Sequence, residues 1–223
     1  MPCTLGSRAS QDGEERKHDS FANQHLESRC HKSASFDACF HVVTGGPGSG
    51  KTTLLKALAR QGIPHMPEAG RAIIRDQIEI GGTALPWRNR HAFAELMLSW
   101  ELRSWHEASR RNGHILFDRG IPDVIGYLRL CDLPVPSHLD TAARRFRYQQ
   151  VFIAPPWAEI YTQDAERKQT FEESSATYDV MIETYQHYGY TLRELPRTPV
   201  EDRTNFVMRI LRGNTPPIRL MHD

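Results

Sequence analysis

Short apolar runs bounded by glycine, proline or charge recur along the chain, with longer stretches of helical spacing between them. The first run, 40–43, is rich in β-branched residues and reads as a buried strand. From Lys51 the pattern turns helical, with Leu54, Leu55 and Leu58 on one side and Gly62 as the stop. A weaker second strand spans 62–66 and ends in Pro67-Glu68-Ala69-Gly70-Arg71. A long amphipathic stretch over 90–111 puts Phe93, Leu96, Met97 and Trp100 on one face. Three more strands are predicted at 114–118 (HILFD), 149–155 (QQVFIAP) and 189–195 (GYTLREL). Thr170-Phe171-Glu172-Glu173 has the capping-box pattern and opens a helix that groups Phe171, Tyr178, Met181, Ile182, Tyr185 and Tyr188. Thr198-Pro199-Val200-Glu201 marks another helix start, with Thr198 as cap and Gly213 as stop. Strands alternating with helices predict an α/β fold, a mostly parallel five-stranded sheet with helices on both faces. Ligands of such sheets sit at the carboxyl ends of the strands.

At the first of those ends the chain reads Gly45-Gly46-Pro47-Gly48-Ser49-Gly50-Lys51-Thr52-Thr53. Gly45, Gly50, Lys51 and Thr52 fit G-x-x-x-x-G-K-[ST], between a strand and a helix as that pattern requires. Glycines let several backbone N–H groups point at one phosphate chain, and the helix N-terminus adds its positive end. Lys51 reaches the β- and γ-phosphates, and the Thr52 hydroxyl is a ligand for Mg²⁺. The expected ligand is a nucleoside triphosphate, with ATP favoured because no N-K-x-D guanine-reading motif is present.

Asp118-Arg119 follows the strand 114–118 directly, which places a carboxylate beside the metal and the reacting phosphate. Arg119 is suited to a phosphate or a substrate carboxylate. Glu68 ends the second strand and faces the same crevice, so Glu68 and Asp118 divide the tasks of base and metal support, in an order the residues leave open. Residues 162–169, TQDAERKQ, form a charged segment where a lid would fall, with Arg167 as the charge-cancelling residue and Lys168 second. Arg71, Trp100, Arg103 and Arg119 are the candidate substrate-side residues, from a region that also holds Trp87, Arg88, Arg90 and Trp105.

Hydrophobic content of 39%, charged content of 25% and a net charge of +1 describe an ordinary globular chain, without the basic footprint of a nucleic-acid binder. Cys3, Cys30, Cys39 and Cys131 lack paired spacing, so a metal site built on Cys30-His31 or Cys39 with His41 is disfavoured. Residues 1–35, with five basic and five acidic residues, are expected to be a polar tail; 36–215 form the nucleotide-binding domain, and 216–223 a C-terminal tail. No apolar run is long enough for a transmembrane span and no signal-peptide core is present, so the expected location is cytoplasmic, as monomer or dimer.

GGPGSGKTTLLKAL, PEAGR, FDRGIPDVIGY and DAERKQTFEE with GYTLRELP resemble the predicted ATPases of the AAA_28 type over residues 38–212. That family is similar to the ribosylnicotinamide kinase domain of bacterial NadR and, more distantly, to deoxynucleoside kinases and thymidylate kinase. The resemblance implies a P-loop kinase core with a lid after the fourth strand, Glu68 in the position of the base, and Asp118-Arg119 as the acid-arginine pair. Two functions follow as expectations. One is a kinase that transfers the γ-phosphate of ATP to a hydroxyl of a small, nucleoside-like acceptor. The other is a nucleotide-dependent regulatory module, for ATP or GTP, with slow hydrolysis.

Overall fold

The computed structural model describes residues 38–161 and 170–213. The predicted tails and the lid segment 162–169, with Arg167 and Lys168, lie outside the described residues.

Five parallel strands form the sheet: β1 (Cys39–Gly45), β2 (His65–Met66), β3 (His114–Asp118), β4 (Gln150–Ala154) and β5 (Leu192–Glu194). Their order is β2-β3-β1-β4-β5, so β1 is central and the chain crosses over it between β3 and β4. Among the described residues there are also seven α-helices, α1 (Lys51–Arg60), α2 (Ala69–Glu79), α3 (Arg90–Ala108), α4 (Ile121–Leu130), α5 (Ser137–Arg145), α6 (Phe171–His187) and α7 (Val200–Leu211), and a short 3-10 turn at Ala158–Ile160. The predicted strands are all present, but the second and fifth are shorter than their apolar runs. Each sits at an edge of the sheet, where it pairs on one side only.

Two apolar layers cover the sheet. On one face Val42, Phe117 and Val151 pack with Leu98 of α3, Ile121 and Ile125 of α4, Leu139 of α5 and Tyr185 of α6. On the other, Val43, Leu116 and Phe152 pack with Leu54, Leu55 and Leu58 of α1 and Val207 and Leu211 of α7. A smaller cluster of Ala69, Ile73 and Phe93 joins α2 to α3 beneath the cleft.

Three predicted details differ. The last helix begins at Val200, not at Pro199, because Pro199 is extended and occupies the capping position; Thr198 makes no capping bond. The buried face of α3 runs through Phe93, Ala94, Leu98, Glu101, Ser104 and Ala108, which leaves Leu96 exposed and Met97 and Trp100 half-buried at its margin. The face of α6 is led near its start by Ser174 and Thr177, with Met181 and Tyr185 further along. The capping box at Thr170 and Glu173 forms as predicted, each side chain accepting from the other's backbone N–H.

His41, in the middle of β1, lies 2.9 Å from His114 through Nε2 and Nδ1, and burial, then His114, pushes it down to about 3. A histidine that excludes its proton when folded gives stability that is complete above its unfolded value of 6.5 and is lost as pH falls toward 3. Urea unfolding should therefore show the wild type losing about 2 kcal/mol between pH 6.5 and pH 5 relative to His41→Phe. Parallel pH profiles for the two proteins would refute this assignment.

Candidate active site

The loop between β1 and α1 is held from two sides and from within. From above, the N-terminal turn of α6 packs on it: the Ser174 hydroxyl donates to the Pro47 carbonyl at 2.7 Å, and a Cβ on Gly46 would stand 2.3 Å from the Ser174 carbonyl oxygen. From the flank, the Arg203 guanidinium of α7 donates Nη1 to the Ser49 carbonyl at 2.9 Å. Gly50, the residue before α1, has φ of 79°, a left-handed conformation, and a Cβ there would lie 2.7 Å from Arg203 Nη1. Within the loop, the Lys51 ammonium donates to the carbonyls of Gly45 and Gly46 at 2.9 and 2.6 Å and to the Ser49 hydroxyl at 3.3 Å. Burial and then Arg119 pull Lys51 down to about 7, against the attraction of Asp118, Glu68 and Asp123. Thr52 and Thr53 are exposed at the start of α1.

β3 runs parallel to β1 with Val43 opposite Asp118, so the end of β3 delivers Asp118 beside the loop. Its carboxyl is buried, and among the described residues Oδ1 has no hydrogen-bond partner. Burial pushes it up to about 6, with Lys51 opposing. Thr52, Glu68, Asp118 and Trp100 line one small recess beside the main cleft. Arg119, next in sequence, has φ of 76°, unusual for a residue with a side chain. Its N–H bonds the Val43 carbonyl at 3.1 Å, and its guanidinium reaches Glu68 and Asp123, each at 3.2 Å. Glu68, the residue before α2, also pairs with Arg71 at 3.5 Å. Burial opposes its ionisation, but Arg119, Lys51 and Arg71 together hold it below the usual carboxylate value. Burial is likewise overcome in Arg119, whose charge Glu68, Asp123 and Asp118 fix.

Asp123 was not singled out from the sequence, and it is the hub of this cluster. Its Oδ1 accepts from the Thr44 hydroxyl at 2.5 Å and from Arg119; Oδ2 accepts from the Gly120 N–H at 2.9 Å and the Tyr185 hydroxyl at 2.6 Å. One carboxylate thus ties β1, the start of α4 and α6 to the arginine that braces Glu68. Its spacing after Gly120, an acid at the third position of a helix, was the available signal.

A cleft of about 1870 Å³ opens beside the loop and runs from Trp157, Ile160, Thr198 and Arg203 at one end to α2, α3 and α4 at the other. Gly48, Ser49, Gly50, Lys51, Thr52, Glu68, Arg71 and Arg119 line it. Of the candidate substrate residues, Arg71 and Arg119 line the main cleft, whereas Trp100 lines the small recess. Arg103 sits on the exposed side of α3, which turns it away from both. The end of the cleft toward α3 and α4 is lined instead by Phe93, Met97 and Glu101 of α3 and Tyr127 of α4.

Arg203 was also missed. It is 3% exposed, lines the cleft, and has no ion-pair partner among the described residues; its Nε is buried without a hydrogen bond. A charged residue one turn ahead of Val207 on an otherwise apolar helical stripe is the signal that marks it. Arg203→Met should weaken Mg²⁺-ADP by about 10- to 100-fold in calorimetric titration while Arg203→Lys loses less, since the guanidinium supplies both loop support and positive charge. Equal affinity in Arg203→Met and wild type would count against it.

A central strand, a lysine-bearing glycine loop and a following helix N-terminus, in a sheet ordered 2-3-1-4-5, define the P-loop NTPase fold in its nucleoside- and nucleotide-kinase-like arrangement. The profile of the AAA domain family AAA_28 matches residues 40–203, and the chain belongs to that family. No curated protein matches it. Among solved structures it is similar to deoxyadenosine kinase from M. mycoides, with a TM-score of 0.59 and 13% identity, over 78% of this chain and 99% of that one. It is similar to NadR in complex with NR, with a TM-score of 0.61 and 18% identity, over 83% of this chain and 54% of NadR. Thymidylate kinase from Ehrlichia chaffeensis aligns with a TM-score of 0.55 and 13% identity, over 78% of this chain and 98% of the enzyme. Among the described residues, no helix is long and apolar enough to cross a membrane.

Proposed function

We propose that this protein is an ATP-dependent kinase that transfers a phosphoryl group to a hydroxyl of a small acceptor. The observation that carries the reading is the meeting of Lys51, Glu68 and Arg119 in one large cleft, with Asp118 in the recess beside it that Glu68 also lines. A nucleotide-binding module that merely reports its ligand has no need of a second, walled half. The solved kinases of the same fold, among them deoxyadenosine kinase and thymidylate kinase, support it.

The geometry supports the following roles. The N–H groups of the loop 45–52 and the start of α1 hold the phosphates, and Lys51 exchanges its bonds to Gly45, Gly46 and Ser49 for phosphate oxygens. Asp118, with a buried oxygen lacking a partner, and Thr52, exposed at the same recess, fit Mg²⁺ and would hold it. Bound there, the ion would neutralise charge on the transferring phosphate. Glu68, ionised by its arginines and facing the acceptor half, accepts the hydroxyl proton. Arg119 keeps Glu68 in place and supplies positive charge to the transferred group. Arg167 remains the proposed charge-cancelling residue from the segment 162–169.

The test is ADP release from Mg²⁺-ATP by the full chain against pooled hydroxyl-bearing metabolites. A pool that raises release well above the acceptor-free rate supports the kinase reading. Tight ATP binding with no response to any pool would overturn it.

A further inference from the structure

Glu101 stands apart from the carboxylates used above. It lies on α3, is 3% exposed, and lines the acceptor half of the cleft. Among the described residues, no hydrogen bond or ion pair reaches its carboxyl. The nearby cations are already committed: Arg119 to Glu68 and Asp123, and Lys51 to its own loop. A buried carboxyl without a partner is costly unless it is neutral or meets a ligand. Burial, then Asp123 and Asp118, push Glu101 well above the usual carboxylate range, in the direction of the neutral acid.

Its surroundings are those of a ring-binding pocket. Met97 and Phe93 lie one and two turns earlier on the same helix and line the same space. Phe93 meets Tyr127 edge to face with centroids 5.4 Å apart, and Val124 and Met181 complete the apolar wall. A neutral carboxyl in such a wall presents one O–H donor and one C=O acceptor side by side. Its complement is a ring nitrogen next to an amino group. Two neighbouring N–H donors, as on guanine, would need an ionised carboxylate instead. A cationic ring is disfavoured by Arg71, Arg75, Arg90 and Arg119, which line the same half.

We propose that Glu101 is the residue that reads the acceptor, donating one hydrogen bond to, and accepting another from, the edge of a planar heterocycle in which a ring nitrogen adjoins an amino group. Adenine and cytosine have that edge. The identification as an acceptor rests on the kinase reading; the recognition itself is a matter of binding and is measured separately.

The probes are cytidine, adenosine and guanosine, titrated calorimetrically into the full chain with the donor site filled by AMP-PNP. The proteins are wild type, Glu101→Gln and Glu101→Leu. Cytidine or adenosine should bind the wild type about 10- to 100-fold more tightly than guanosine. Glu101→Gln should stay within about 5-fold, because an amide offers the same donor and acceptor in the same shape. Glu101→Leu, which keeps the bulk, should lose about 10- to 100-fold while AMP-PNP affinity is unchanged in all three. If Glu101→Leu does not fold, the preference against guanosine and the tolerance of Glu101→Gln still decide. A preference for guanosine, a large loss in Glu101→Gln, wild-type affinity in Glu101→Leu, or no binding of cytidine or adenosine would each overturn the proposal. Glu101-dependent binding without any phosphorylation overturns the kinase reading alone. Phosphorylation of an acceptor whose affinity Glu101→Leu leaves untouched overturns this inference alone.

Discussion

Asp123→Ala is expected to cost about 3–5 kcal/mol of folding stability, because it breaks a buried, charged network at its centre. The loss has identifiable parts. The Thr44 and Tyr185 hydroxyls and the Gly120 N–H would each lose an acceptor, in a region where Asp123 itself is 5% exposed. Arg119 would keep only Glu68. An unmade hydrogen bond in a buried site costs about 1–3 kcal/mol per group, and partial collapse or entry of water reduces the sum. Tyr185→Phe, which removes one donor and leaves the charge pair intact, should cost only about 1 kcal/mol. Urea unfolding of the three proteins at one pH decides the matter. If Asp123→Ala falls within about 1 kcal/mol of wild type, the network is not what ties β1, α4 and α6 together. The change should also loosen the site, since the arginine that braces Glu68 is held on its other side by Asp123.

The network shows where reading the residues stops. The glycine loop was legible because its chemistry is local: Gly45 to Thr52 are contiguous, and their spacing alone specifies strand, turn and helix. Asp118-Arg119 was legible because it ends an apolar run. Asp123, three residues after Gly120, fell within Ile121–Leu130, a helix buried almost all round, whose composition shows no stripe of one face against another. Its partners Thr44 and Tyr185 are 79 and 62 residues away, a separation no local pattern expresses. Glu101 and Arg203 were hidden differently. Each is a charged residue on the apolar face of its helix, beside Leu98 in one case and Val207 in the other. A strict search for charge on a buried stripe would have found both, whereas grouping α3 by its aromatic residues put Trp100 and Arg103 in the pocket. Trp100 does line the recess beside the cleft, whereas Arg103 sits on the exposed side of α3.

Glu68→Gln is expected to lower acceptor-dependent ADP release by about 10²- to 10⁴-fold, the usual contribution of a positioned general base. The substitution separates charge from shape. Glutamine keeps a carbonyl oxygen toward Arg119, so the brace at 3.2 Å survives as a neutral hydrogen bond, and Asp123 still holds the guanidinium from the other side. What disappears is the ability to take a proton from the acceptor. Affinity for ATP should move by no more than about 5-fold, because the loop and Lys51 hold the phosphates. Glu68 is held below the ordinary carboxylate value by Arg119, Lys51 and Arg71, against burial, so it is ionised across the neutral range. The acid limb of a pH profile therefore belongs to Asp118, whose carboxyl is pushed up to about 6 by burial and must ionise to hold Mg²⁺. Raising Mg²⁺ should shift that limb to lower pH in the wild type. Near wild-type release by Glu68→Gln, paired with a total loss in Asp118→Asn that added Mg²⁺ does not relieve, would transfer the base to Asp118. A drop in ATP affinity that matches the drop in release would instead mean that Glu68 acts only through Lys51 and Arg119, as part of the charge balance that positions the nucleotide.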